Sequence, residues 1–177
     1  MSKPSQVVVL AEDQRHQRFV REYLYRKGFE RHQIRMEPLP SGRGCGEQWV
    51  RARYTMAVAA YRHRSAKAAS ALVVAINADT EAVTRRQQQL RDSLTQAQMP
   101  ERMNNEAIAH FIPKQHIETW LLFLGGRPVD EDTDYHDAAV DGLFGVAANT
   151  FAELCRSSRQ DVIASLSLAI LEVRRIP

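Results

Sequence analysis

The sequence predicts an open α/β fold: a mainly parallel four-stranded sheet flanked by helices, with a small helical extension at the C-terminus. Three observations predict it. Four short apolar runs, at 6–11, 33–37, 71–76 and 107–112, alternate with segments of helical periodicity. The stretches between the runs are long enough to hold crossover helices, which parallel strands require. The third run, ALVVAI, is apolar throughout, as strands covered on both faces are.

The elements follow in order. Gln6–Ala11 is β-branched and reads as a buried strand. Glu12 and Asp13 end it, and a helix is expected over Gln14–Lys27, with Phe19, Val20, Tyr23 and Leu24 on one face and Gly28 as its stop. Gln33–Glu37 alternates Ile34 and Met36 with polar residues, and Pro38 and Pro40 close that second strand. The glycine-rich loop Ser41–Gly46 leads into a long basic helix, Glu47–Lys67, striped by Val50, Tyr54, Val58 and Tyr61. After the third strand come Asn77-Ala78-Asp79-Thr80-Glu81 and a polar helix, Glu81–Gln98, with sparse apolar positions at Val83, Leu90 and Leu94. Ala107–Ile112 is the fourth strand, stopped by Pro113, and His116–Leu124 a short apolar helix ended by Gly125-Gly126. From Arg127 the chain turns acidic and irregular, with small helices expected at Phe151–Arg156 and Val162–Arg175. The domain division is therefore 1–126 for the α/β unit and 127–177 for a helical extension packed on it.

Composition narrows the class. With 44% hydrophobic and 25% charged residues the chain is that of an ordinary globular protein. No apolar run approaches the ~20 residues of a membrane span, and the N-terminal MSKPSQ lacks an apolar signal core. A cytoplasmic protein without membrane partners is expected, with Cys45 and Cys155 as reduced thiols. The net charge of +3 is unevenly spread: residues 1–67 carry 14 Lys/Arg against 6 Asp/Glu, and residues 130–177 carry 4 against 9. A basic front half attracts phosphates, so Arg15, Arg43, Arg51 and Arg53 are candidate nucleic-acid contacts.

Two apolar strands, each running into acidic residues at the mouth of a helix, suggest one acidic site at the carboxyl edge of the sheet, where open α/β sheets bind ligands. Glu12, Asp13, Asn77, Asp79 and Glu81 are its members. Hard oxygen donors of this kind suit Mg²⁺, and a neighbouring glutamate suits acid–base work in phosphoryl transfer. The same residues would equally serve as helix caps: Asp13 for the helix at Gln14, Asp79 or Thr80 for the one near Glu81. A second group, Lys114 and Glu118, lies four residues apart after the fourth strand and faces the same edge. It reads either as a phosphate-stabilising lysine with a metal-binding or supporting glutamate, or as a surface ion pair. The Ser41–Gly46 loop could approach a phosphate through its backbone, but lacks the Lys-Ser/Thr ending of a P-loop and reads equally as a connector.

In this order the motifs resemble the Toprim-like superfamily, the metal-dependent domain of topoisomerases, primases and overcoming-lysogenisation-defect nucleases. Those proteins carry a glutamate after the first strand, matched by Glu12, and an Asp-x-Asp after a later one, matched by Asn77-Ala78-Asp79. More narrowly, the chain is similar to small stand-alone Toprim-like proteins of bacterial phage-defence loci, whose Pro-Lys-x-x-Ile-Glu-Thr-Trp segment is matched by Pro113–Trp120. The resemblance spans residues 6–125 and implies a Toprim-like, Rossmann-like sheet and Mg²⁺- or Mn²⁺-dependent cleavage of DNA or RNA. It implies Glu12 and Lys114 as catalytic residues, and Glu12, Asn77, Asp79 and Glu118 around the metal. It further implies an effector subunit of an anti-phage defence system, acting with an ATPase or sensor protein encoded nearby, and a homo-oligomer is left open. Asn77 departs from the pattern: an amide keeps one neutral oxygen but loses a charge, so metal binding would be weakened. The alternative is a non-catalytic module that binds nucleic acid or a partner protein. A small-molecule phosphotransferase or phosphatase using the same edge is a third reading.

Overall fold

The computed structural model describes residues 3–41, 46–79, 81–157 and 161–177. Four strands, β1 (Gln6–Ala11), β2 (Ile34–Met36), β3 (Ser70–Ala75) and β4 (Ile108–Phe111), form one sheet in the order β2-β1-β3-β4. Every pairing is parallel: Val7 lies opposite Ile34 and Ala71, and Val73 opposite Ala109. The expected α/β class is therefore the observed one. From β1 the chain steps outward to β2, then jumps back past β1 to β3. Right-handed crossovers then put the first two helices on opposite faces, and the carboxyl ends of β1 and β3 flank the point where the strand order reverses.

The helices are α1 (Gln14–Arg26), α2 (Gly46–Ser65), α3 (Val83–Gln96), α4 (Ile117–Leu124), α5 (Phe144–Arg156) and α6 (Ala164–Val173), with a 3₁₀ turn at Arg31–Gln33. Strands β1 and β3 are covered by α1 and α2, α3 packs on α2, and α5 packs on α1 and α4. All six residues of β3 are buried, and after Ser70 its sequence is apolar throughout, as a strand covered on both faces requires.

The C-terminal segment contributes to the main core. Phe151 of α5 meets Phe19, Tyr23, Phe111 and Trp120 at ring-centroid separations of 4.8–6.4 Å. Trp120 also donates its indole N–H to Ser165 Oγ at 2.8 Å. Helix α5 starts at Phe144, seven residues before the start expected from sequence. Its first two turns bury Phe144, Ala147 and Ala148 at helical spacing with Phe151, a stripe that the two alanines leave weak in the sequence.

Helix α6 covers the β4 edge of the sheet. The outward backbone groups of β4 meet an ion pair instead of another strand. Arg102 Nη1 donates to the Ile108 carbonyl at 2.8 Å, and Glu172 Oε2 accepts the His110 N–H at 2.9 Å. Arg102 and Glu172 are themselves bonded in a two-point pair, Nη2 to Oε1 at 3.0 Å, with both side chains largely buried. An edge covered this way offers no template for another chain. Replacing Glu172 with alanine strips one partner from a buried charge and one acceptor from a strand N–H. The expected loss is about 3 kcal/mol of unfolding free energy, measured by urea titration, with concentration-dependent association in light scattering as the edge is bared.

Candidate functional site

Glu12 follows β1 directly, and its backbone is still paired to β3, N–H to the Ala75 carbonyl at 3.0 Å. Its carboxylate crosses the strand-order reversal and accepts the Asn77 N–H at 2.9 Å. Two strand ends far apart in sequence thus share one hydrogen bond. Burial pushes the Glu12 carboxyl above its ordinary range, with Asp79 and Asp13 adding to that, while His16 and the Asn77 N–H pull against it. The first residue of α2, Gly46, lies against this side chain: a Cβ there would stand 2.5 Å from Glu12 Cγ and 2.7 Å from its carbonyl oxygen. Glycine is the residue that permits so close an approach.

Asp13 has the capping role that its sequence position also allowed. Its Oδ1 accepts the His16 N–H at 2.9 Å at the start of α1. The same oxygen meets His16 Nδ1 at 2.9 Å, while His16 Nε2 meets Asn77 Oδ1 at 3.0 Å. His16 is fully buried. Burial pulls its imidazole down, but the charge and hydrogen bond of Asp13, with the charges of Glu12 and Glu118, outweigh this and push it up to about 9. With both ring nitrogens protonated, His16 is a cation that donates to Asp13 on one side and to Asn77 on the other. Burial also pushes the Asp13 carboxyl up. His16 outweighs it there too, by charge and hydrogen bonds, and carries the group well below the usual carboxylate range.

Beyond β3 the chain is held on both sides. Ala78 N–H donates to the Pro113 carbonyl at 2.8 Å, tying this turn to the end of β4. Asp79 has φ +56°, a left-handed conformation that aspartate tolerates better than most residues. It does not cap α3, whose N-cap is Ala82; Asp79 Oδ2 accepts instead from Arg86 Nη2 at 3.1 Å. Arg86 is buried. Its Nε donates to the Asn77 carbonyl at 2.9 Å and its Nη1 to Gln89 at 2.7 Å, and it is ion-paired with Glu47. Glu118, buried in the first turn of α4, is ion-paired with Arg15.

The structure therefore brings Glu12, Asn77 and Asp79 to one edge of the sheet, with Arg15, His16 and Arg86 among them, and holds Glu118 on Arg15. Lys114 is turned outward: it pairs with Asp132 of the acidic segment, whose hydrogen bond raises the ammonium above its usual range. The same segment reaches Arg15 through the His136 carbonyl at 3.2 Å and His116 through Asp134 at 3.3 Å. Arg51 is exposed and pairs with Glu47 at 3.0 Å, while Arg53 lies over the Trp49 ring, 5.0 Å from its centroid. Arg43 lies outside the described residues, as does most of the Ser41–Gly46 loop. Cys155 is a free thiol whose burial pushes it up to about 11.

The site's two cationic hubs, His16 and Arg86, are not among the residues expected from sequence, yet each leaves a trace there. Both sit at apolar positions of a helical stripe: His16 with Phe19, Val20, Tyr23 and Leu24, and Arg86 with Val83, Leu90 and Leu94. A charged residue inside such a stripe must find buried partners.

The donors suit Mg²⁺ in kind, being the hard oxygens of Glu12, Asp79 and Asn77. In the arrangement described, Asn77 Oδ1 receives from His16, and Asp79 and Glu118 are each held by a guanidinium. Among the described residues no group of three His, Cys, Asp or Glu is gathered closely enough to hold a metal ion. Among the described residues no helix is long and apolar enough to cross a membrane. Compared with family models, curated proteins and solved structures, the chain matches none of them.

Proposed function

We propose that this chain is a Mg²⁺-dependent nuclease of Toprim type, acting on DNA or RNA as the effector subunit of a bacterial anti-phage defence system. The observation that carries the reading is Glu12: a carboxyl at the strand-order reversal, raised by burial and fixed by the Asn77 N–H. A carboxyl raised in this way holds a proton more readily than an ordinary one, which suits it to take and return one. The motif order of Glu12, Asn77-Ala78-Asp79 and Pro113–Trp120 supports the superfamily. Glu12, Asp79 and Asn77 would hold Mg²⁺, which when bound supplies positive charge to the phosphoryl oxygens. Glu12 would move the proton, His16 would fix Asn77, and Arg86 would hold Asp79. Lys114, once released from Asp132, would reach the phosphate.

The test is nicking of supercoiled plasmid and of single-stranded RNA in Mg²⁺ or Mn²⁺ by the native chain, by Glu12→Gln and by Asn77→Asp. Metal-dependent cutting that Glu12→Gln lowers at least a hundredfold is the expected outcome. Folded protein that cuts neither substrate in either the native or the Asn77→Asp form, alone or with the products of neighbouring genes, ends the nuclease reading.

One observation favours the second reading, a non-catalytic module that binds nucleic acid or a partner protein. The acidic groups Asp13, Asp79 and Glu118 each already have a cation of this chain as partner. Salt-dependent nucleic-acid binding that is indifferent to Mg²⁺ and to Glu12→Gln, without cutting, selects it.

A further inference from the structure

We infer that the groove between the Pro38–Ser41 segment and the first turns of α2 is a stacking subsite for one base of a single-stranded nucleic acid, with Trp49 as the platform. The inference rests on the phosphodiester reading for the class of substrate, but its own evidence lies outside the acidic cluster.

The groove has a volume of about 520 Å³ and is lined by Pro38, Leu39, Pro40, Gln48, Trp49 and Arg53, with Ser41 at its end. That is within the ~300–1,000 Å³ range of small-ligand clefts. Trp49 is only partly buried, whereas Trp120, the second tryptophan, is fully enclosed in the core. Arg53 lies over the Trp49 ring at 5.0 Å, forming a planar cation–aromatic pair one helical turn apart. The guanidinium over the ring and the exposed part of the indole together present flat surface and a positive charge. Nucleobases stack on both kinds of surface, and the charge suits the phosphate that accompanies each base. Gln48 adds an amide that can both donate to and accept from a base edge.

Location makes the groove part of the site. Its floor and one wall belong to α2, whose first residue, Gly46, touches Glu12. Trp49 follows three residues later, about 4.5 Å along the helix axis. The other wall leaves the carboxyl end of β2, and that exit is held in place: Glu37 N–H donates to the Val9 carbonyl at 2.9 Å and Gln17 Nε2 to the Glu37 carbonyl at 2.7 Å. A base seated on Trp49 therefore leaves its sugar–phosphate chain beside the strand-order reversal where Glu12 sits. Exposed Arg51, on the same helix, pairs with Glu47, which Arg86 also holds, so Arg51 can turn to a phosphate while Glu47 keeps a cationic partner. A paired duplex hides its base faces, so the geometry points to single strands or to bases turned out of a helix.

The test measures binding without cutting. In EDTA, the full chain is titrated with dT12, U12 and a 12-base-pair duplex, reading tryptophan fluorescence, whose quenchable part belongs to Trp49. Quenching by both single strands, with at least tenfold weaker binding of the duplex, is expected. Trp49→Ala should weaken single-strand binding about tenfold in anisotropy with labelled oligomers, Trp49→Phe less than threefold and Arg53→Ala about fivefold. Circular dichroism and melting curves check folding, and Arg53→Ala with Trp49→Phe decide the matter if Trp49→Ala unfolds. Unchanged affinity in Trp49→Ala or Arg53→Ala, equal binding of the duplex, or no quenching by either oligomer overturns the subsite. Single-strand binding by these rules without any metal-dependent cutting leaves the subsite standing and removes the nuclease reading instead.

Discussion

Between pH 6.5 and pH 9 the unfolding free energy of this protein should fall by about 3 kcal/mol, and a His16→Gln variant should lack most of that fall. The imidazole has an ordinary value of 6.5 and is pushed up to about 9 in the fold. Over that interval the folded chain keeps a proton that the unfolded chain has released, so each step up in pH favours unfolding. The contribution is complete below pH 6.5 and gone above about pH 9. On the acid side the partner works in the opposite sense. Asp13 is lowered from 3.8, so its contribution holds above that pH and is lost as the carboxylate takes up a proton. Glu12 is raised, so its ionisation costs stability as pH climbs past 4.5. The groups facing His16 are Asp13, Asn77, Glu12 and Glu118. Urea titrations of native chain and variant at half-unit pH intervals isolate the histidine as the difference between the two curves. Parallel curves across that window would mean that His16 is neutral in the fold.

Asn77→Asp is the second large effect. The amide oxygen already faces His16 Nε2 at 3.0 Å, and Asn77 itself is buried. A carboxylate in that place gives the cation a second anionic partner, so the imidazole should titrate above about 9, readable by NMR. It also adds one negative charge to an oxygen set of the kind that binds Mg²⁺. On the nuclease reading the affinity should rise roughly tenfold or more in calorimetry, and nicking at limiting metal should rise with it. The backbone contacts of residue 77, to Glu12 and Arg86, involve its N–H and carbonyl and are unaffected by the exchange. A variant with raised imidazole titration but unchanged Mg²⁺ affinity would show that position 77 serves His16 and not a metal.

Much of this was legible in the sequence because it depends on local pattern. The strand β1 was expected at Gln6–Ala11 and is found there; α1 and α4 differ from expectation by a residue at one end. Continuous apolar runs cannot stay in water, and crossovers of this length are what parallel strands need. The meeting of Glu12 with residues 77–79 follows from that topology, since both end neighbouring parallel strands. The start of α5 was harder to read, because between Phe144 and Phe151 its buried face is carried by Ala147 and Ala148, whose small side chains make a weak signal.

What the sequence determined by itself is the parallel α/β class, the order of the elements and the edge on which the acidic residues collect. What only the tertiary structure decided is who partners whom at that edge. Asp13, Asp79 and Glu118 meet His16, Arg86 and Arg15, and Lys114 meets Asp132. Charge pairing depends on side chains from different elements arriving within about 4 Å, where burial decides how strongly each pair acts. Spacing along the chain carries no record of that distance. It shows a histidine and an arginine in apolar stripes, and the fold shows the carboxylates and backbone oxygens they were buried to meet.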